Sequence, residues 1–145
     1  MGSETIFHID VNSAYLSWSA IRRLQNGDPL DLRTIPSIIG GDKEKRHGIV
    51  LAKSIPAKKY GIQAAEPIVS AFRKCPTLVM ESPDMHYYHQ KSEELMNYLR
   101  SVCPDIEQLS VDECFMDYTP IQRHYASPME AACQIKNEIR NRFGF

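Results

Sequence analysis

Apolar residues recur along this chain in two rhythms, and those rhythms predict its elements. Thr5 to Asp10 is short, β-branched and aromatic, and predicts a core strand that ends in a carboxylate. Asn12 and Ser13 follow as candidate N-caps. Tyr15, Trp18, Ile21, Arg22 and Leu24 are then spaced by three and four, which predicts a helix closed by Gly27. Residues 26–36 are rich in turn formers and read as a loop. Short strands are expected from Ser37 to Gly40 and from Ile49 to Lys53, around a polar turn over 41–48. Ser54 to Gly61 predicts a short helix with a serine cap, and Glu66 to Lys74 another with Pro67 early in it. A strand over Thr77 to Met80 precedes a long helix opened by Ser82-Pro83. Its apolar stripe is Met85, Tyr88, Leu95, Met96, Leu99 and Val102, and Pro104 ends it. Ser127-Pro128-Met129-Glu130 is a capping box that starts a last helix, with Ala132, Ile135, Ile139 and Phe143 on one side and Gly144 at its close. Two long helices over one face of a small sheet predict an α+β fold, with the short elements from about 19 to 80 as an inserted lobe.

Leu109-Ser110-Val111-Asp112-Glu113-Cys114-Phe115-Met116-Asp117 breaks these patterns. Asp112-Glu113 as a two-residue hairpin loop would place Val111 opposite Cys114, Leu109 opposite Met116 and Glu107 opposite Tyr118, giving one mostly apolar face. Tight hairpin turns favour Asn-Gly or Asp-Gly, however, because they need positive φ. Adjacent carboxylates also repel. A solvated acidic turn accounts for such a pair; so does a divalent metal held at a strand tip.

Bulk composition narrows the function classes. The 145 residues fit one domain or two small lobes, and 43% hydrophobic with 24% charged is ordinary for a globular protein. No run approaches the ~20 apolar residues of a membrane span, and Thr5 to Ile9 is too short for a secretory h-region. A net charge of −1 does not describe a self-sufficient nucleic-acid binder. Cys75, Cys103, Cys114 and Cys133 form no Cys-x-x-Cys pair, which argues against zinc and thioredoxin chemistry and fits small buried residues in a reducing cytoplasm. Lys43, Lys45, Arg46, Lys53, Lys58 and Lys59 crowd the inserted lobe against Asp42 and Glu44, either as a solvated face or as a patch for phosphates.

Asp10 ends one expected strand and Asp112-Glu113 another. Were those strands neighbours, three carboxylates would meet, and they could not all stay ionised without cations. Two magnesium ions about 3.5–4 Å apart are the usual arrangement for nucleotidyl transfer. Free amides at the helix start over 12–15 would suit a phosphate.

Four stretches together resemble the N-terminal part of Y-family translesion DNA polymerases of the bacterial DNA polymerase IV type. They are Phe7-His8-Ile9-Asp10-Val11-Asn12-Ser13-Ala14-Tyr15, Gly48-Ile49-Val50-Leu51-Ala52-Lys53-Ser54, Ala57-Lys58-Lys59-Tyr60-Gly61-Ile62, and Ser110-Val111-Asp112-Glu113-Cys114-Phe115-Met116-Asp117. They keep the family's order and spacing over nearly the whole chain. The resemblance implies a palm from residues 1–18 and 81–145, incomplete at its C-terminal end, with a small α/β fingers lobe over 19–80. It implies Asp10, Asp112 and Glu113 as catalytic metal carboxylates, the Val11 carbonyl as a further ligand, and two Mg2+ ions. Tyr15 matches the steric gate that excludes a 2′-hydroxyl. Ser13, Ala14 and Tyr15 match a phosphate-binding turn, and Ser54 and Lys58 match the fingers segment that covers the nucleotide. The implied partners are primer-template DNA, a dNTP and, through a C-terminal region not in this chain, a sliding clamp; the implied location is the cytoplasm.

Two departures stand out. Ile55-Pro56-Ala57-Lys58 occupies the place where the family commonly has Tyr-Glu-Ala-Arg, so the tyrosine's phosphate hydrogen bond and the arginine's bidentate fork are both missing. The thumb and little-finger domains expected of the family are absent from these 145 residues, so the chain alone is expected to grip DNA weakly and polymerise poorly. A non-catalytic, polymerase-like accessory to damage tolerance is the alternative expectation.

Overall fold

The computed structural model describes residues 4–41 and 48–145. Its elements, in chain order, are β1 (Ile6–Asp10), α1 (Ala14–Gln25), a 3-10 turn (Leu32–Thr34), β2 (Ser37–Gly40), β3 (Val50–Lys53), α2 (Ile55–Lys58), α3 (Ile68–Lys74), β4 (Val79–Glu81), α4 (Met85–Val102), β5 (Ile106–Gln108), β6 (Glu113–Asp117), a second 3-10 turn (Thr119–His124) and α5 (Pro128–Phe143). They fall into two compact units. One holds the chain up to Val11 and again from His86; the other is Asn12–Met85.

In the first unit the strands run in the order β1-β6-β5, all antiparallel. Alternation along β6 turns Cys114 and Met116 fully inward and leaves Phe115 exposed. Tyr88, Leu95, Met96 and Leu99 of α4 and Ile135 of α5 are buried in the same unit, on the helical spacing seen in the sequence, while Ala131 rather than the expected Ala132 is the buried alanine at the start of α5. The Tyr98 ring meets Phe143 edge-on at 5.9 Å, and the Arg142 guanidinium lies 4.7 Å over Tyr98, which ties α4 to the end of α5. Ser127 caps α5 by accepting the Glu130 amide at 3.1 Å, as the capping box requires. β1 differs from the expected core strand. It is the sheet's edge, with Ile6, His8 and Asp10 exposed and Phe7 and Ile9 half-buried between them.

In the second unit β2 lies between β3, antiparallel, and β4, parallel. The parallel pairing needs a long crossover, which α2 and α3 supply. Ile38, Val50, Ala57, Ile62, Ile68, Ala71, Cys75 and Leu78 form the core, with Phe72 and Met80 against it. Gly40 sits at the register shift between β2 and β3, where a Cβ would collide with the Ile49 carbonyl oxygen. α1 packs against the first 3-10 turn, β2 and β3. The mixed α/β content and the two small sheets are those of the α+β class expected from the sequence.

Candidate active site

The acidic motif sits where β1 and β6 end together. β1–β6 pairing puts Asp10 directly opposite Glu113, and the Val11 amide donates to the Asp112 carbonyl at 2.9 Å. The backbone therefore brings Asp10, Val11, Asp112 and Glu113 to one strand end of one unit. The expected two-residue turn is not what forms. Gln108 opposes Cys114, Glu107 opposes Phe115 and Ile106 opposes Met116, so residues 109–112 are the loop and Glu113 opens β6. Cys114 faces Gln108 rather than Val111, a three-position shift on β5, and an odd shift turns that strand over. Leu109, expected on the apolar face, is 45% exposed. The physical reason is the one that made the motif anomalous: Asp-Glu resists the positive φ of a tight turn. The longer loop lets the Leu109 and Ser110 amides both reach the Glu113 carbonyl, at 3.0 and 3.3 Å.

The carboxylates interact without forming a ligand cage. Partial desolvation raises the Asp10 pKa, and the negative charges of Asp112 and Glu113 raise it further, while His8 opposes them. Asp112 accepts the Ser110 hydroxyl at 2.8 Å, and Glu113 lies 2.9 Å from His8 Nε2. Among the described residues no three His, Cys, Asp or Glu side chains are gathered as a metal-holding group. The donor set is nonetheless the one a hard divalent cation takes: oxygen-only, anionic and mutually repelling. Ser110 and His8 hydrogen-bond two of these carboxylates, and strand pairing brings the backbone positions of all three together. Reading the strand pattern did not single out His8. Its position two residues before Asp10, hence on the same strand face, was the available signal.

The remaining candidates lie in the Asn12–Met85 unit. Ser13 precedes α1 in the left-handed region, at φ 47°, and its side chain makes no cap hydrogen bond, contrary to the expected serine cap. The first helical bond runs from the Ser17 amide to the Ser13 carbonyl, so the amides of Ala14 to Leu16 have no acceptor within the helix. A non-glycine residue with positive φ stores strain, and such residues cluster at ligand clamps. Ala14 is buried; Tyr15 is half-buried, its ring 6.3 Å from Trp18. Ser54 is 2% exposed. Its hydroxyl donates to the Ile35 carbonyl at 2.7 Å and accepts the Ser37 amide at 3.0 Å and the Ala57 amide at 3.1 Å. One donor and two acceptor sites are then all used, so this hydroxyl has nothing left for a nucleotide. Ser54 instead fixes the start of α2. Lys58, Lys59 and Ile55 are exposed on that helix and its end, Ile55 by 74%, and Lys53 is half-buried. Lys43, Lys45 and Arg46 of the basic cluster lie outside the described residues.

Known proteins match this chain along nearly its whole length. The model of the impB/mucB/samB family matches residues 9–145. A protein named DNA polymerase IV from Clostridium acetobutylicum is 50% identical over 99% of the chain, which covers 36% of that relative. DNA polymerase IV from Treponema denticola is 32% identical over 99% of the chain and 35% of the relative, and DNA polymerase IV 2 of Bacillus subtilis is 34% identical over 99% and 34%. The chain thus spans about a third of the length of these relatives. Among solved structures, a Y-family DNA polymerase chimera, Dbh-Dpo4(243-245)-Dbh, superposes with a TM-score of 0.83 at 22% identity, over 96% of this chain and 40% of that one. A Dbh ternary complex gives 0.81 at 21%, over 96% and 38%. At that identity the likeness concerns the fold.

Proposed function

Because the chain belongs to the impB/mucB/samB family, whose members include Y-family polymerases, we propose that it is the palm-and-fingers portion of an error-prone translesion DNA polymerase. The observation that carries this reading is the pairing of Asp10 with Glu113, with Val11 bonded to Asp112 beside them. In this reading a primer 3′-hydroxyl oxygen bonds to the α-phosphorus of a dNTP while the bond to pyrophosphate breaks. Asp10, Asp112 and Glu113, with the Val11 carbonyl, would hold two Mg2+ ions. When bound, such ions lower the pKa of the attacking hydroxyl and neutralise the leaving pyrophosphate. The palm is residues 1–18 and 81–145 and the fingers 19–80.

The chain's own residues do the rest. The amides over Ser13 to Tyr15, at the start of α1, suit the triphosphate, and Ser13's left-handed backbone supports that use. Tyr15 lies beneath the sugar as the steric gate. Lys58 supplies one charge to the triphosphate, and Ser54 acts by anchoring α2 rather than by touching the nucleotide. A net charge of −1 offers little phosphate neutralisation, so the chain by itself grips primer-template weakly and extends it poorly. DNA, dNTP, a sliding clamp reached through sequence outside this chain, and a cytoplasmic location complete the reading. The second reading, a non-catalytic accessory, draws on Ile55, whose exposed apolar side chain stands where the family's tyrosine would bind phosphate.

Divalent-dependent dNTP binding separates the two. We expect binding in Mg2+ or Ca2+ that Asp10→Ala abolishes, and a preference for dNTP over rNTP that Tyr15→Ala removes. Nucleotide binding indifferent to the cation and to Asp10→Ala sinks the polymerase reading.

A further inference from the structure

We propose that His8 is a positioning residue that holds the Glu113 carboxylate for metal binding, an inference resting on the polymerase reading above. Across the β1–β6 pair His8 lies opposite Phe115 and Asp10 opposite Glu113, so His8 and Glu113 are diagonal neighbours on the sheet's exposed face. His8 Nε2 and Glu113 Oε2 are 2.9 Å apart. An ionised carboxylate only accepts, so Nε2 carries the hydrogen and donates it. The imidazole is itself oriented by Phe115, with ring centroids 5.0 Å apart at 52°. Strand register and the aromatic contact thus aim one N–H at one carboxylate oxygen, and among the described residues no hydrogen bond reaches the other oxygen, Oε1.

The arrangement does little for stability. The two side chains are 50% and 34% exposed, and ion pairs that open to water contribute little. What the bond does is fix the direction of a long, flexible side chain beside Asp10. Carboxylates that bind metal are commonly held by a hydrogen bond of this kind, and removing the partner weakens metal affinity by about 10–100-fold.

The test is Mn2+ binding to this chain at one fixed neutral pH, followed by electron paramagnetic resonance. His8→Phe keeps a ring against Phe115 and removes the donor; His8→Gln restores a donor without the ring. We expect His8→Phe to weaken Mn2+ binding about 10–100-fold, His8→Gln to recover most of it, and both variants to melt with the wild-type chain. Mn2+ binding weakened by Asp10→Ala but unchanged or tightened by His8→Phe overturns this inference alone. Equal losses in His8→Phe and His8→Gln also overturn it, since the ring rather than the hydrogen bond would then matter. Mn2+ binding that Asp10→Ala leaves intact overturns the metal reading and this inference together.

Discussion

The Asn12–Met85 unit and the tip of β1 and β6 use the same acidic residue types in opposite ways. In the Asn12–Met85 unit every described carboxylate faces a cation: Asp28 and Glu81 share Arg23, Asp31 meets Arg33, Glu66 meets Lys74 and Asp84 meets Arg22. The pKa values of Asp28 and Asp31 are lowered, by hydrogen bonds from the Leu30 amide and Arg23 in one case and chiefly from Arg33 in the other. At the tip of β1 and β6 the acids face one another, and the Asp10 pKa is raised. A paired acid strengthens the fold. An acid among acids weakens it.

The largest expected effect probes a fully satisfied polar group of the second unit. Ser54→Ala strands the Ile35 carbonyl and the Ser37 and Ala57 amides, and should cost about 2–3 kcal/mol in urea unfolding. A cost near zero would mean that the hydroxyl is not the anchor of α2. Next is Arg23→Ala, which leaves Asp28 and Glu81 without their shared partner and should cost about 1–2 kcal/mol by the same measurement. Ser13→Gly relieves a left-handed backbone and should gain about 0.5–1 kcal/mol while weakening nothing else in the fold. A loss of stability there would show that Ser13's side chain contributes something beyond its strained backbone.

The smallest effect has the most telling sign. Asp10→Asn removes a repelled charge, so the metal-free chain should melt slightly higher at neutral pH, by something of order 1 °C. A raised folded pKa means that the folded state holds the proton more tightly. The Asp10 contribution is therefore fully present below the unfolded pKa of about 4 and is lost as pH rises through the folded value. The gain from Asp10→Asn should vanish on acidification. Asp28 and Asp31 act the other way: their stabilisation is present above the unfolded pKa and lost as pH falls through their lowered values. Calorimetric melts across this range that show Asp10→Asn destabilising at neutral pH would end the contrast.

Much of this was legible in the residues, for reasons that are local. The α4 stripe places Tyr88, Leu95, Met96 and Leu99 in the core, and Ser127 caps α5 where the capping box puts it, because helical spacing and capping depend only on near neighbours. What was not legible depends on distant partners. The β5–β6 register turns on a four-residue loop that adjacent acids prefer over a tight turn. Ser54 reads as a helix cap until Ile35 and Ser37 arrive to saturate its hydroxyl. Ser13 reads as a cap, yet its backbone takes a conformation in which its side chain does not cap. The motif acids were visible, but the residue that aims one of them, His8, passed as an ordinary strand position.

The pairing of β1 with β6 also has a kinetic consequence. His8 and Glu113 are 105 positions apart, so β1 is complete long before its partner strand exists. Closing a loop of that length costs entropy that grows with the logarithm of its span. An intervening Asn12–Met85 unit that has already folded covers less distance than the same residues unfolded, and so lessens that cost. The acidic tip should therefore be among the last parts of the chain to assemble, following the inserted unit in any time-resolved folding measurement.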